Sequence, residues 1–147
     1  MRQVAAPDGY GVAVLSNHAE GTPDLALVAY GGVSRLLPPL LRTLAQEEIR
    51  VRVVLPECID PLPWDTLVAT LDRCDRILVL DEGHEGFSWA SGVAAGLHER
   101  LWGRLACPVR VLASERRIIP TAFDQEAQML LSAEKIENAI LEVLSWA

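Results

Sequence analysis

The chain is poor in cysteine, lysine and aromatic residues. Its three cysteines, Cys58, Cys74 and Cys107, are far apart and irregularly spaced. That spacing excludes a disulfide framework and a zinc ribbon, and it predicts reduced thiols in a cytoplasmic setting. The only lysine is Lys135, so a Walker-type phosphate loop, which closes on a lysine, is absent. No G-x-G-x-x-G occurs either. No apolar run approaches the ~18 residues of a membrane-spanning helix, and no apolar stretch follows Arg2 as it does in a secretory leader. Bases are outnumbered, 13 Lys and Arg against 20 Asp and Glu, giving a net charge of −7. A net acidic chain is a poor nucleic-acid binder, because phosphate contact needs a basic face.

What remains is a chain of 147 residues, half of them hydrophobic, the size and composition of one folded domain. The acidity is local. Between Glu57 and Glu99 there are nine acids and two bases, Arg73 and Arg76. The stretch suggests a cationic partner or a metal, beside the plainer reading of a solvated surface.

Short apolar blocks alternate with longer amphipathic ones. Tyr10–Ser16, Leu25–Tyr30, Arg50–Leu55, Arg76–Leu80 and Val109–Ala113 read as strands. Leu25–Tyr30 is a continuous apolar run, the mark of a strand buried on both faces. Ser34–Glu48 carries Leu36, Leu37, Leu40, Leu41 and Leu44 at helical spacing, and Pro38-Pro39 moves the regular helix start to about Pro38. Further helices are predicted over Trp64–Asp72, Phe87–Leu101 and Asp124–Leu131, with a last one capped by Ser132. A loop with Pro120 precedes Asp124, and Asp81–Gly86 reads as a charged loop. Alternating strands and helices predict a mostly parallel sheet covered on both faces. The link between the first two strands is too short for a parallel crossover. One edge strand is therefore expected to run antiparallel.

Candidate chemistry is sparse. Gly31-Gly32 follows a strand and opens a helix, so its amides could cradle a phosphate; a simple strand-to-helix turn is the plainer reading. Asp81, Glu82, His84 and Glu85 gather four possible ligands at the end of a strand, where open α/β sheets place their sites. A cation, a solvated loop or a protein contact would each use them. Gly86-Phe87-Ser88 faintly resembles a nucleophile elbow, but His98 is the only later histidine and no acid lies between them. Cys58 and Cys107 are expected to be buried and inert, His98 partly buried, and most of Trp64, Trp89, Trp102 and Trp146 to be core.

In order, the segments resemble the C-terminal domain of the transketolase superfamily, in particular that of the β subunit of thiamine-dependent 2-oxo acid dehydrogenases of the pyruvate or branched-chain type. The resemblance rests on YGVAVLSNHAEGTPDLALVAYG at Tyr10–Gly31, RVRVVLPECIDPLPWDTL at Arg50–Leu67, RILVLDEGHEGFSWASG at Arg76–Gly92 and PVRVLASERRIIPTAFDQEAQMLLSAEKI at Pro108–Ile136. Asp81-Glu82 stands where the dehydrogenases usually have His-Glu. Glu82-Gly83-His84 is closer to the Glu-Asp-His of split transketolase subunits, so the subclass stays open.

The resemblance implies a three-layer α/β/α domain over residues 10–147, with a five-stranded mostly parallel sheet whose first strand is antiparallel. Residues 1–9 are expected to form an extension ahead of it. It also implies that thiamine diphosphate and magnesium belong to other domains of the parent enzyme, and that this chain alone binds neither. The implied role is non-catalytic: dimer contacts and docking to the acyltransferase core, as a fragment or split subunit. Partners implied are the thiamine-binding domain or subunit, a basic subunit-binding domain of the acyltransferase, and a second copy of the chain. Asp81, Glu82, His84, Glu85 and Phe87 are the docking candidates. The rival expectation is a freestanding module that binds a small ligand or a cation at the strand-end loops.

Overall fold

The computed structural model describes residues 2–5, 9–118, 121 and 123–146. Six strands form one sheet: β1 (Arg2–Val4), β2 (Val12–Ser16), β3 (Leu25–Val28), β4 (Val51–Pro56), β5 (Ile77–His84) and β6 (Arg110–Ser114). Their spatial order is β1-β2-β4-β3-β5-β6. The pairs β4–β3, β3–β5 and β5–β6 are parallel, whereas β2 runs antiparallel to β4 and β1 antiparallel to β2. The tight link after β2 therefore yields the expected antiparallel strand. The sheet has one strand more than the five expected: Arg2–Val4, within the segment placed ahead of the domain, pairs with Val12–Val14.

Helices cover both faces. On one side lie α1 (Leu37–Gln46) and α5 (Ala133–Ser145), whose Leu37, Leu40, Leu41, Leu44, Ile136 and Ile140 pack on Leu25, Leu27, Val51 and Val53. On the other lie α2 (Trp64–Thr70) and α3 (Trp89–Leu101), which pack on Ala26, Val28, Val54, Ile77 and Val79. Alternate residues of β3 feed opposite cores, so all four are buried, as a two-sided central strand requires. The remaining helix, α4, spans Phe123–Met129. No helix among the described residues is long and apolar enough to cross a membrane.

The helix starts follow local chemistry. Pro38 and Pro39 occupy the first turn of α1, where no amide donor is needed, and a 3-10 stretch over Gly31–Leu36 leads into it. Ser132 caps α5 by accepting from the Lys135 amide at 3.2 Å, as predicted. Some boundaries differ: α3 starts at Trp89 rather than Phe87, α2 ends at Thr70 rather than Asp72 and β2 starts at Val12 rather than Tyr10. β5 does not end at Leu80 but runs through the charged residues to His84, which pairs with Ser114 beyond an irregularity after Asp81. An apolar run is the main strand signal in a sequence, and ladder bonds continue past it here. Pro120 lies outside the described residues.

Helix α3 docks through glycine. A Cβ on Gly96 would stand 2.3 Å from Cη2 at the edge of the Trp64 ring, and the Arg100 guanidinium lies 4.1 Å from the centroid of that ring. Trp64 is thus held between the bare helix backbone and a cation. Gly92, one turn earlier, faces open space. Gly92→Ala should stabilise by up to about 1 kcal/mol through helix propensity alone. Gly96→Ala should instead destabilise, by about 1 kcal/mol net, because overpacking costs roughly 1–3 kcal/mol. Urea denaturation of the two variants checks this; equal stabilisation by both would contradict the packing.

Candidate functional site

The candidate residues lie at the ends of the parallel strands, between the close of β5 and the start of α3. Asp81 is 1% exposed. Its Oδ1 accepts from the Tyr30 hydroxyl at 2.9 Å and from the Gly83 amide at 2.8 Å. Its Oδ2 accepts from the Ala90 amide at 2.8 Å. Ser88, at the cap position of α3, makes no side-chain cap bond. Asp81 therefore caps α3 from the neighbouring strand and sets a negative charge at the positive end of the helix. Burial works against its ionisation. The amides of Ala90 and Gly83 and the Tyr30 hydroxyl outweigh that and hold the carboxyl below its ordinary value. Burial, then the bond to Asp81, pushes the Tyr30 phenol up to about 12.

Tyr30 extends the brace. Its ring meets Trp89 edge-on, with centroids 4.6 Å apart, and Trp89 Nε1 donates to the Ile59 carbonyl at 3.1 Å. The ends of β3 and β5, the loop after β4 and the start of α3 are thus tied together. Tyr30 drew no notice in the sequence, where it only closes an apolar run.

The other predicted residues separate from Asp81. Glu82 is exposed and turns toward the glycine turn: a Cβ on Gly32 would stand 2.5 Å from its Oε1, and Gly31 has φ +64°. The turn considered as a phosphate cradle is therefore faced by the chain's own carboxylate. His84 and Glu85 are exposed and lie along β6. His84 Nδ1 is 3.1 Å from the Glu115 carbonyl, the Glu85 amide donates to the Ser114 carbonyl at 2.9 Å, and Ser114 Oγ donates to the Glu82 carbonyl at 3.0 Å. Asp81, proposed with them as a docking residue, faces inward. Its three donors and its burial leave it nothing to offer a partner. Among the described residues no group of three or more His, Cys, Asp or Glu is placed to hold a metal ion.

Phe87 is 92% exposed and Ile118 is 96% exposed. Together with His84, Glu85, Arg116 and Arg117 they line one open groove. The Arg116 guanidinium lies 5.8 Å from the Phe87 ring centroid. Arg116 and Ile118 were missed as site residues; the available signal was an apolar pair, Ile118-Ile119, following a charged triplet in a loop.

The weaker candidates are also placed. Ser88 Oγ is buried, and no histidine hydrogen-bonds to it. His98 is half-buried beside Trp102, with ring centroids 6.0 Å apart. Cys107 is buried as expected, whereas Cys58 is only half-buried, its thiol donating to the Asp60 carbonyl at 3.3 Å. Trp64, Trp89 and Trp146 are half-buried against the cores, and Trp102 is exposed. The acidic stretch forms no single face. At the far end of β5, Asp72 pairs with Arg104 at 3.0 Å and Asp75 with Arg76 at 3.4 Å.

Asp81→Asn removes the charge from a buried acceptor and should cost roughly 1–3 kcal/mol at neutral pH. The lowered folded pKa fixes the sign. Stability from ionised Asp81 is complete above the unfolded carboxyl value of about 3.9 and is lost as pH falls through the folded value. The gap between the two proteins in denaturation experiments should therefore narrow in acid. A gap unchanged by pH would contradict the cap.

Comparison with known proteins adds relatives. A profile of the family described as transketolase, C-terminal domain, matches residues 16–136. The chain is 25% identical over 121 residues to the acetoin:2,6-dichlorophenolindophenol oxidoreductase subunit beta of Bacillus subtilis, covering 82% of this chain and 35% of that protein. It is 28% identical over 116 residues to the pyruvate dehydrogenase E1 component subunit beta of the same organism, covering 79% and 35%. It is 30% identical over 139 residues to 1-deoxy-D-xylulose-5-phosphate synthase of Thermobifida fusca, covering 92% and 21%. Among solved structures, a split-gene transketolase in an inactive beta4 tetramer superposes with a TM-score of 0.71 at 20% identity, covering 92% of this chain and 42% of that one. The chain thus spans about a third or less of these curated relatives.

Proposed function

The chain belongs to the transketolase C-terminal domain family, and from that premise we infer that it is a non-catalytic assembly and docking domain of a thiamine diphosphate-dependent enzyme. The parent would be of the 2-oxo acid dehydrogenase β-subunit kind or of the transketolase kind. The observation that carries this reading is the pair Phe87 and Ile118, each more than nine-tenths exposed and lining one groove, with Phe87 in the segment between the Gly83 and Ala90 amides that Asp81 holds. Large exposed apolar side chains gathered on one groove are what a partner covers, and aromatic anchors of this kind dominate interface energy.

The proposed occupant is the thiamine-binding part of the same enzyme, since the curated relatives are about three times the length of the matched region. The residues at these strand ends do not fit thiamine diphosphate itself. The glycine turn that would receive a diphosphate meets Glu82, whose charge repels it. A basic subunit-binding domain of an acyltransferase has a weaker claim on this face. Of the acidic stretch only Glu85 lines this groove among the described residues, beside Arg116 and Arg117, while Glu82 turns toward the glycine turn. Mixed charges of this kind orient a partner more than they hold it. A second copy of the chain would cover the same apolar pair.

The test is affinity capture from the native cells, with thiamine diphosphate assayed in whatever is held. A partner containing the cofactor is expected. The double variant Phe87→Ala/Ile118→Ala should release it at least about tenfold more easily, the loss of one hot-spot contact. Glu82→Gln/Glu85→Gln should mainly change the salt dependence of association. A captured partner without the cofactor, or undiminished binding by the apolar double variant, would overturn the reading.

A further inference from the structure

At the opposite pole of the sheet, the strand register gathers cations on one groove. Arg2 stands directly across from Val14, and Ser16 directly across from Arg52. Directly opposed residues share a face of a sheet, as do residues two apart along a strand. Arg2, Ser16 and Arg52 therefore project from the same side. The end of α2, at Ala69 and Thr70, forms the facing wall, and the turn from His18 to Gly21 closes one end.

Among the described residues no carboxylate lines this groove, although the chain carries −7 overall. The neighbouring groove, by contrast, sets Asp24, Glu48 and Asp75 beside Arg50 and Arg76. Nearby acids are engaged or turned away. Asp24 pairs with Arg50 at 2.7 Å and Asp72 with Arg104 at 3.0 Å. Glu20 is exposed and does not line the groove.

Arg52 is held in place. Its Nη1 donates to the carbonyls of Thr70 at 2.9 Å and Asp72 at 3.0 Å and contacts Cys74 Sγ at 3.6 Å. All three contacts use one nitrogen, so among the described residues the Nε and Nη2 donors of the fork remain without a partner. Arg2 forms no ion pair among the described residues. Burial, then the charges of Arg52 and Arg50, hold the His18 imidazole below its ordinary value, with Asp24 opposing them. Asn17 Oδ1 lies 3.3 Å from its Nδ1.

We propose that this groove binds a phosphoryl oxyanion, with Arg2 and Arg52 donating to its oxygens and Ser16 and His18 completing the set. Two guanidinium forks and a hydroxyl match the several oxygens of a phosphoryl group; a carboxylate would satisfy one fork only. The site stands apart from the docking face and does not depend on the function proposed for it.

An NMR titration of the whole chain at neutral pH tests this, with inorganic phosphate in one arm, a glycerol phosphate in another, and sodium chloride at matched ionic strength as control. Saturable shifts are expected at the amides of Ser16, Gly21 and Ala69, with the His18 pKa rising as the anion binds. Saturation by either probe supports the site and says whether it takes free phosphate or a monoester. Arg2→Gln should weaken binding about tenfold, the loss of one charge-assisted contact. Arg52→Lys keeps the charge without the fork and should also weaken it, while sparing the fold better than removing Arg52 altogether. Shifts that chloride reproduces, or affinities unchanged in both variants, would overturn the proposal.

Discussion

A single buried carboxylate organises one pole of this domain. Asp81 takes donors from three directions: a phenol at the end of β3, an amide within its own strand, and the first turn of α3. A buried charge without such partners would be costly. With them it ties the Gly83 amide within β5 to the first turn of α3. Phe87, 92% exposed, lies between the Gly83 and Ala90 amides that Asp81 holds. The charged side chains that follow Asp81 make other contacts, Glu82 toward the glycine turn and His84 along β6.

The two poles then differ in kind. The strand-end pole presents an apolar pair framed by two arginines, a histidine and an acid, a surface suited to another protein. One groove at the opposite pole presents cations without a lining acid among the described residues, a surface suited to a small anion. Between them, two hydrophobic layers hold the sheet rigid, with fully buried residues all along β3. The transketolase C-terminal fold thus keeps its chemistry at its edges, and none of the described side chains forms a nucleophile–base pair across them.

Much of this was readable in the residues. Leu25–Tyr30 gave a buried strand because burial on both faces leaves an unbroken apolar run. Ser132 gave a helix start because a hydroxyl there satisfies a free amide. The failures have physical reasons. Arg2–Val4 is too short and too polar to carry a period, and it becomes a strand only because Val12–Val14 offers a free edge. Asp81 was grouped with its charged neighbours because composition cannot tell which of several carboxylates turns inward. That choice is made by Tyr30, 51 positions away. Ile118 and Arg116 joined the site for a similar reason, since only the pairing of β5 with β6 brings their loop beside Phe87.

The central claim is that the ionised Asp81 carboxylate holds the start of α3. The most direct measurement is a carbon-detected NMR titration of that carboxyl, with the Ala90 and Gly83 amides followed in the same samples. The account predicts a midpoint below the ordinary carboxyl value of about 3.9, with both amide resonances moving on the same curve. A midpoint at or above that value, with the amides unmoved, would contradict it.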